Sequence, residues 1–98
     1  MYEIRRTEVF TSWLDHLRDA RGRVRVLARL DRVARGVFGD TKVIGETVSE
    51  LRIDYGPGYR IYYTKRRRTV VFLLVGGDKS TQERDIKRAI QLAQNLEE

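Results

Sequence analysis

The sequence predicts a single α+β domain, β-α-α-β-β-β-α, with a twisted, mainly antiparallel sheet, an N-terminal helical hairpin and a C-terminal helix. Three features of the 98-residue chain predict it. Val70–Val75 (VVFLLV) is a continuous apolar run and reads as a strand buried on both faces. Two stretches of alternating apolar and polar residues flank Gly56-Pro57-Gly58, the pattern of half-buried strands joined by a turn. Apolar residues also recur at helical spacing twice before this hairpin and once after the last strand.

In chain order, Tyr2–Arg6 (YEIRR) alternates as a short strand, expected beside the hairpin unit in the sheet. Thr7 can cap a first helix in which Val9, Phe10, Trp13, Leu14 and Leu17 form the buried face. Trp13 is expected in the core, and His16, the one histidine, on the polar side. The segment Asp19–Gly22 breaks the helix, and a second one starts near Arg23. Its apolar stripe is Leu27, Leu30, Val33, Ala34, Val37 and Phe38; Arg25, Arg29 and Arg32 fall on a solvated side, and Asp31 can pair with Arg35. Gly36 and Gly39-Asp40 end this helix, and residues 40–47 (DTKVIGET) read as a loop carrying Lys42.

The hairpin comes next, and its register follows from which side chains face the core. If Leu51 and Ile53 share a core with Tyr59 and Ile61, Leu51 lies opposite Ile61, Arg52 opposite Arg60 and Glu50 opposite Tyr62, across an odd-length turn. Two arginines side by side repel one another, so the pair suits an anion; the alternative is that both are merely solvated, or neutralised by Glu50 and Asp54. Lys65–Arg68 forms a basic turn, whose charges also guard the sheet against self-association. After the last strand, Gly76–Lys79 leads to Ser80, which with Glu83 makes a capping box for a helix burying Ile86, Ala89, Ile90, Ala93 and Leu96.

Composition limits the function. With no cysteine there is neither a disulfide framework nor a thiolate metal site. Clustered metal ligands are missing from the sequence, and no cofactor is expected. The N-terminus lacks an apolar signal core and no apolar run reaches the length of a membrane span, so a soluble cytoplasmic protein with no membrane partner is expected. Twenty Lys and Arg against 14 Asp and Glu leave a net charge of +6, which favours polyanionic partners.

The hairpin pattern L-R-x-x-Y-G-x-G-Y-R-x-Y, within Val48–Tyr63, and G-G-D-K-S-T-Q, within Leu73–Ile86, carry a family resemblance. With this order of elements, the chain resembles the RelE/ParE superfamily of bacterial toxins, and within it the HigB-like, phage-derived branch called addiction-module killer proteins. The resemblance implies a RelE-like fold and the toxin of a type II toxin–antitoxin module: a ribosome-dependent mRNA endonuclease that inhibits translation. It also implies an adjacent antitoxin, expected to be a helix-turn-helix DNA-binding protein, and possible toxin–antitoxin hetero-oligomers.

In RelE-type toxins, basic residues on the hairpin and after the last strand do this work; the matching positions are Arg52, Arg60 and Lys79. The final helix, from Ser80 on, contains neither Tyr nor His, so acid and base must come from elsewhere. Glu50, opposite Tyr62, is one candidate base, although a carboxylate facing two arginines is a weak one. Asp78, Lys79 and Arg84 are candidates beside the last strand. Lys42, Tyr62, Lys65 and Arg84 complete the expected RNA and phosphate contacts. Two other readings stay open: a ParE-like poison that blocks DNA gyrase without nuclease chemistry, and a non-toxic relative that serves only to bind the antitoxin.

Overall fold

The computed structural model describes residues 1–96, so the last two residues of the expected domain lie outside the described ones. Its elements are β1 (Glu3–Arg6), α1 (Glu8–Asp15), α2 (Ala20–Ala34), β2 (Thr41–Gly45), β3 (Val48–Ile53), β4 (Tyr59–Arg66), β5 (Val70–Asp78), a 3-10 turn (Lys79–Thr81) and α3 (Gln82–Gln94). They form one five-stranded sheet of order β1-β5-β4-β3-β2. Every pairing is antiparallel except β1 with β5. The architecture is that of the RelE-like α+β fold.

The apolar run does form a strand buried on both faces. Val71 and Leu73 join Phe10, Leu14, Val26, Leu30, Leu51 and Ile61 under α1 and α2. Val70, Phe72, Leu74 and Val75 join Val48, Tyr62, Ala89 and Ala93 under α3. Complete burial of such side chains is worth about 1.5–3 kcal/mol each. A bulge interrupts the alternation, because Tyr62 pairs with Val75 while Tyr63 pairs with Leu73. Leu74 and Val75 therefore both face α3, and the carbonyl of Leu74 accepts from Thr7 Oγ1 at 2.7 Å.

Several expectations are corrected. β1 does not lie beside the hairpin; it takes the free edge of β5, with Thr7 N donating to the Leu73 carbonyl at 3.1 Å. The 40–47 segment is not a loop but contains the edge strand β2, which turns into β3 through Glu46 at positive φ. The break between the helices falls at residues 16–19 rather than over Asp19–Gly22, because Asp19 caps α2 by accepting from Gly22 N at 3.0 Å. Glycine fits there because a Cβ at position 22 would lie 2.6 Å from the Tyr59 ring. Gly76, Gly77 and Asp78 continue β5 rather than leaving it. The cap that follows is built by Asp78 and Thr81, not by Ser80 and Glu83.

The solvated arginine side of α2 also needs revision. Arg29 is buried, and its guanidinium donates to the carbonyls of Phe38 (3.0 Å), Arg52 (2.7 Å) and Asp40 (2.6 Å). It ties α2 to the start of β2 and the end of β3. In turn, Leu27 and Val37 are exposed where a buried stripe was expected, and Val26 lies inside. Thr7 does cap α1, accepting from Phe10 N at 3.0 Å, Trp13 is partly buried against the first core, and Asp31 pairs with Arg35 at 2.9 Å.

Candidate functional site

The hairpin register is the expected one: Leu51 opposite Ile61, Arg52 opposite Arg60, Glu50 opposite Tyr62. Pairing ends at Ile53 and Tyr59, which leaves the five residues 54–58 to turn the chain, with Gly56 and Gly58 at positive φ. Registered partners share a face, so two rows run across the sheet. One is Lys42, Glu50, Tyr62 and Val75; the next is Arg52, Arg60 and Gly77. Both look toward α3. The hairpin strands, expected to be half-buried, are therefore covered on this face as well, since the start of α3 roofs it.

Glu50 is the centre of this face and only 1% exposed. Its Oε1 accepts from Arg52 Nε at 3.1 Å and lies 3.9 Å from Arg60 Nε, while its Oε2 accepts from Gln82 Nε2 at 2.9 Å. The arginines differ in exposure: the Arg52 side chain is 36% exposed and that of Arg60 is 9%. Arg60 Nη1 donates to the Tyr59 carbonyl at 3.0 Å, but its Nε has no hydrogen bond, nor does the buried Tyr62 hydroxyl. Tyr62 lies near enough to Glu50 and Gln82 to feel them electrostatically, yet meets neither in hydrogen-bond geometry. Burial first, then the Glu50 carboxylate, push the Tyr62 phenol well above its ordinary pKa, so it is a neutral donor at physiological pH.

Beside this group is a second buried carboxylate. Asp85 is 3% exposed and accepts from Thr81 Oγ1 at 2.6 Å. A Cβ at position 77 would come within 2.0 Å of Asp85 Oδ2, so the missing side chain of Gly77 lets the carboxylate rest on the strand. Sequence reasoning missed both Gln82 and Asp85. The signal was present: extending the Ile86, Ala89, Ala93 stripe back by one turn puts both on the inward face.

The remaining expected residues separate. Lys42 is on the exposed edge strand opposite Glu50. Lys79 stands at the hairpin tip: its N donates to the Gly58 carbonyl at 3.1 Å, and a Cβ at Gly58 would lie 3.0 Å from its stem. Lys65 is on the opposite face, with its ammonium 4.5 Å from the Phe38 ring centre and 5.6 Å from that of Tyr2. The structure thus puts it apart from the arginine pair. Arg84 points outward, 76% exposed, with Asp85 at 3.4 Å, and Asp78 is occupied as a cap. His16 is exposed at the end of α1, where its Nδ1 lies 2.8 Å from the Ser12 carbonyl. Among the described residues no helix is long and apolar enough to cross a membrane.

Comparison with known proteins adds two findings. Residues 12–98 match the family described as phage derived protein Gp49-like (DUF891). A Haemophilus influenzae protein, described only as uncharacterized, is 47% identical over 94 residues, covering 96% of this chain and 95% of that one. The family match takes in α2, both hairpin strands, the arginine pair and α3, and the chain belongs to the Gp49-like family of phage-derived proteins, a family associated with the killer proteins of toxin–antitoxin addiction modules.

Proposed function

We propose that this chain is the toxin of a type II toxin–antitoxin module and that it cleaves mRNA on the ribosome. The observation carrying this reading is the arginine pair, set side by side by the hairpin register and gathered on a single carboxylate. Like charges directly opposite each other destabilise a sheet, and a planar guanidinium fork suits two phosphate oxygens at once.

In the proposed reaction a ribose 2′-oxygen attacks the adjacent phosphorus. The P–O5′ bond breaks, leaving a 2′,3′-cyclic phosphate and a 5′-hydroxyl; one proton leaves the 2′-hydroxyl and one reaches the 5′-oxygen. Arg52 and Arg60 stabilise the extra negative charge of the transition state, Lys79 neutralises a flanking phosphate from the hairpin tip, and the ribosome supplies alignment. Lys42 and Arg84 contribute peripheral RNA contacts. Lys65, on the opposite face, is assigned to a separate patch of the ribosomal RNA. Glu50, between two guanidinium groups, holds them rather than accepting a proton, and Tyr62 is a neutral donor near the phosphate.

The test is translation in a purified system followed by mapping of mRNA ends. The native protein is expected to cut mRNA only when ribosomes are present, and Arg60→Ala to lower cleavage at least about a hundredfold with the fold retained by circular dichroism. Undiminished cleavage by Arg60→Ala would refute the assignment.

One observation favours a second reading. Glu50, Tyr62 and Arg60 lie under α3 in the resting protein, as suits a ParE-like poison acting by protein contact on DNA gyrase. Induction would then provoke DNA-damage signalling while incorporation of labelled amino acid continues. Either toxin requires an antitoxin, for which a helix-turn-helix DNA-binding protein with an acidic toxin-binding segment is the proposed partner.

A further inference from the structure

The arginine face carries more donors than its carboxylate satisfies. Arg52 Nε and Gln82 Nε2 take one Glu50 oxygen each, at 3.1 and 2.9 Å. Arg60 Nε, on a side chain only 9% exposed, lies 3.9 Å from Glu50 Oε1, beyond hydrogen-bond reach, and the fully buried Tyr62 hydroxyl finds no acceptor. Buried donors without partners are rare and destabilising. Both lie beside the Glu50 carboxylate. That group is planar and has two oxygens, whereas a tetrahedral phosphate presents its oxygens in more directions and is bulkier.

We infer that Glu50 is an internal stand-in for phosphate: in the resting protein it fills an anion site made by Arg52, Arg60 and Tyr62, where Gln82 holds it, and it withdraws when a phosphodiester enters. The inference rests on the phosphate-binding reading above and adds a competitor within the chain. With Glu50 in place the paired guanidinium groups are neutralised, so the fold need not carry two adjacent uncompensated cations under α3. The same carboxylate repels incoming anions, so free cellular phosphate binds poorly, and only an RNA held by further contacts displaces it. Gln82, partly buried in the first turn of α3, is the roof that must release Oε2. Lys42, the registered neighbour of Glu50 on the exposed edge strand, is the cation toward which the carboxylate retreats.

Calorimetric titration with inorganic phosphate, without ribosomes, tests this. Removing the competing charge in Glu50→Gln is expected to tighten phosphate binding at least about tenfold over the native protein. Adding Arg60→Ala to Glu50→Gln is expected to abolish the gain. Gln82→Ala, which frees one carboxylate oxygen without touching a charge, is expected to fall between native and Glu50→Gln. Equal affinity in native and Glu50→Gln overturns the inference, as does a gain that survives loss of Arg60. Where Glu50→Gln folds too weakly for calorimetry, Gln82→Ala decides, and no tightening in it overturns the inference. Tighter binding by Glu50→Gln together with unimpaired mRNA cleavage by Arg60→Ala would remove the nuclease assignment and leave the stand-in intact. Normal loss of cleavage in Arg60→Ala with no tightening in Glu50→Gln would do the reverse.

Discussion

Tyr59 and Asp19 show how single side chains link strand and helix. The Tyr59 hydroxyl donates to Asp19 Oδ2 at 2.7 Å, bridging β4 to the N-terminal cap of α2. Burial first, and then this hydrogen bond, push the Tyr59 phenol up to about 12, while Gly22 N–H and then Tyr59 hold the Asp19 carboxyl below its ordinary 3.8. The bridge therefore contributes in full between the two ranges. The Tyr59 part is present below the unfolded phenol value of 10.0 and is lost as pH rises through about 12. That of Asp19 is present above 3.8 and lost as pH falls through its lowered folded value. Stability measured by urea unfolding across pH is expected to fall at both ends, and Tyr59→Phe to flatten the alkaline arm and shrink the acid one.

Arg29 is the residue for which composition alone misleads. A helical arginine flanked by other arginines reads as solvated, and only the carbonyls of Phe38, Asp40 and Arg52, from a loop and a neighbouring strand, make it a buried clamp. Arg29→Met keeps much of the stem and deletes all three donors. It is expected to lower stability by about 3 kcal/mol, read as a reduced urea midpoint with an unchanged slope.

Among the elements, legibility followed the strength of the local pattern. The β3–β4 register could be read because Leu51, Ile53, Tyr59 and Ile61 had to share one core and the Gly-Pro-Gly turn limited the loop. β2 could not, since Thr41–Gly45 is short and edge-placed, with Val43 74% exposed, so no alternation of burial marks it. The arginine pair was thus visible from sequence, whereas its roof was only indirectly so: helical spacing from Ile86 and Ala89 points to positions 82 and 85, but a search for apolar residues assigns polar Gln82 and Asp85 to solvent. Gly76 and Gly77 looked like a loop for the same reason, although they are strand positions kept bare for Trp13 and Asp85. Gly77→Ala is expected to cost about 1–3 kcal/mol through overpacking. In a double-mutant cycle with Asp85→Ala, most of that cost is expected to vanish, because the clashing atom, Asp85 Oδ2, is removed.

For the whole molecule, the net charge of +6 sets how it meets a polyanion. Binding of single-stranded RNA is expected to weaken linearly in log–log form as salt rises, with each phosphate contact contributing a slope of about 0.7. Arg52→Ala is expected to reduce that slope by about one such increment. Lys65→Ala, on the far face, is expected to leave it unchanged for a short oligonucleotide confined to the arginine face, which separates local phosphate contacts from general basicity.

The parallel pairing of β1 with β5 has a consequence for the order of events during synthesis. Residues 3–6 hydrogen-bond to a segment made some 67 positions later, as in the Thr7 to Leu74 contact. Until that late segment leaves the exit tunnel, the first strand and the hairpin have no common neighbour, and contacts so distant in sequence close slowly. A nascent chain halted before Val70 therefore holds helices and a hairpin without the strand that unites them. The sheet therefore closes only once β5 has been made.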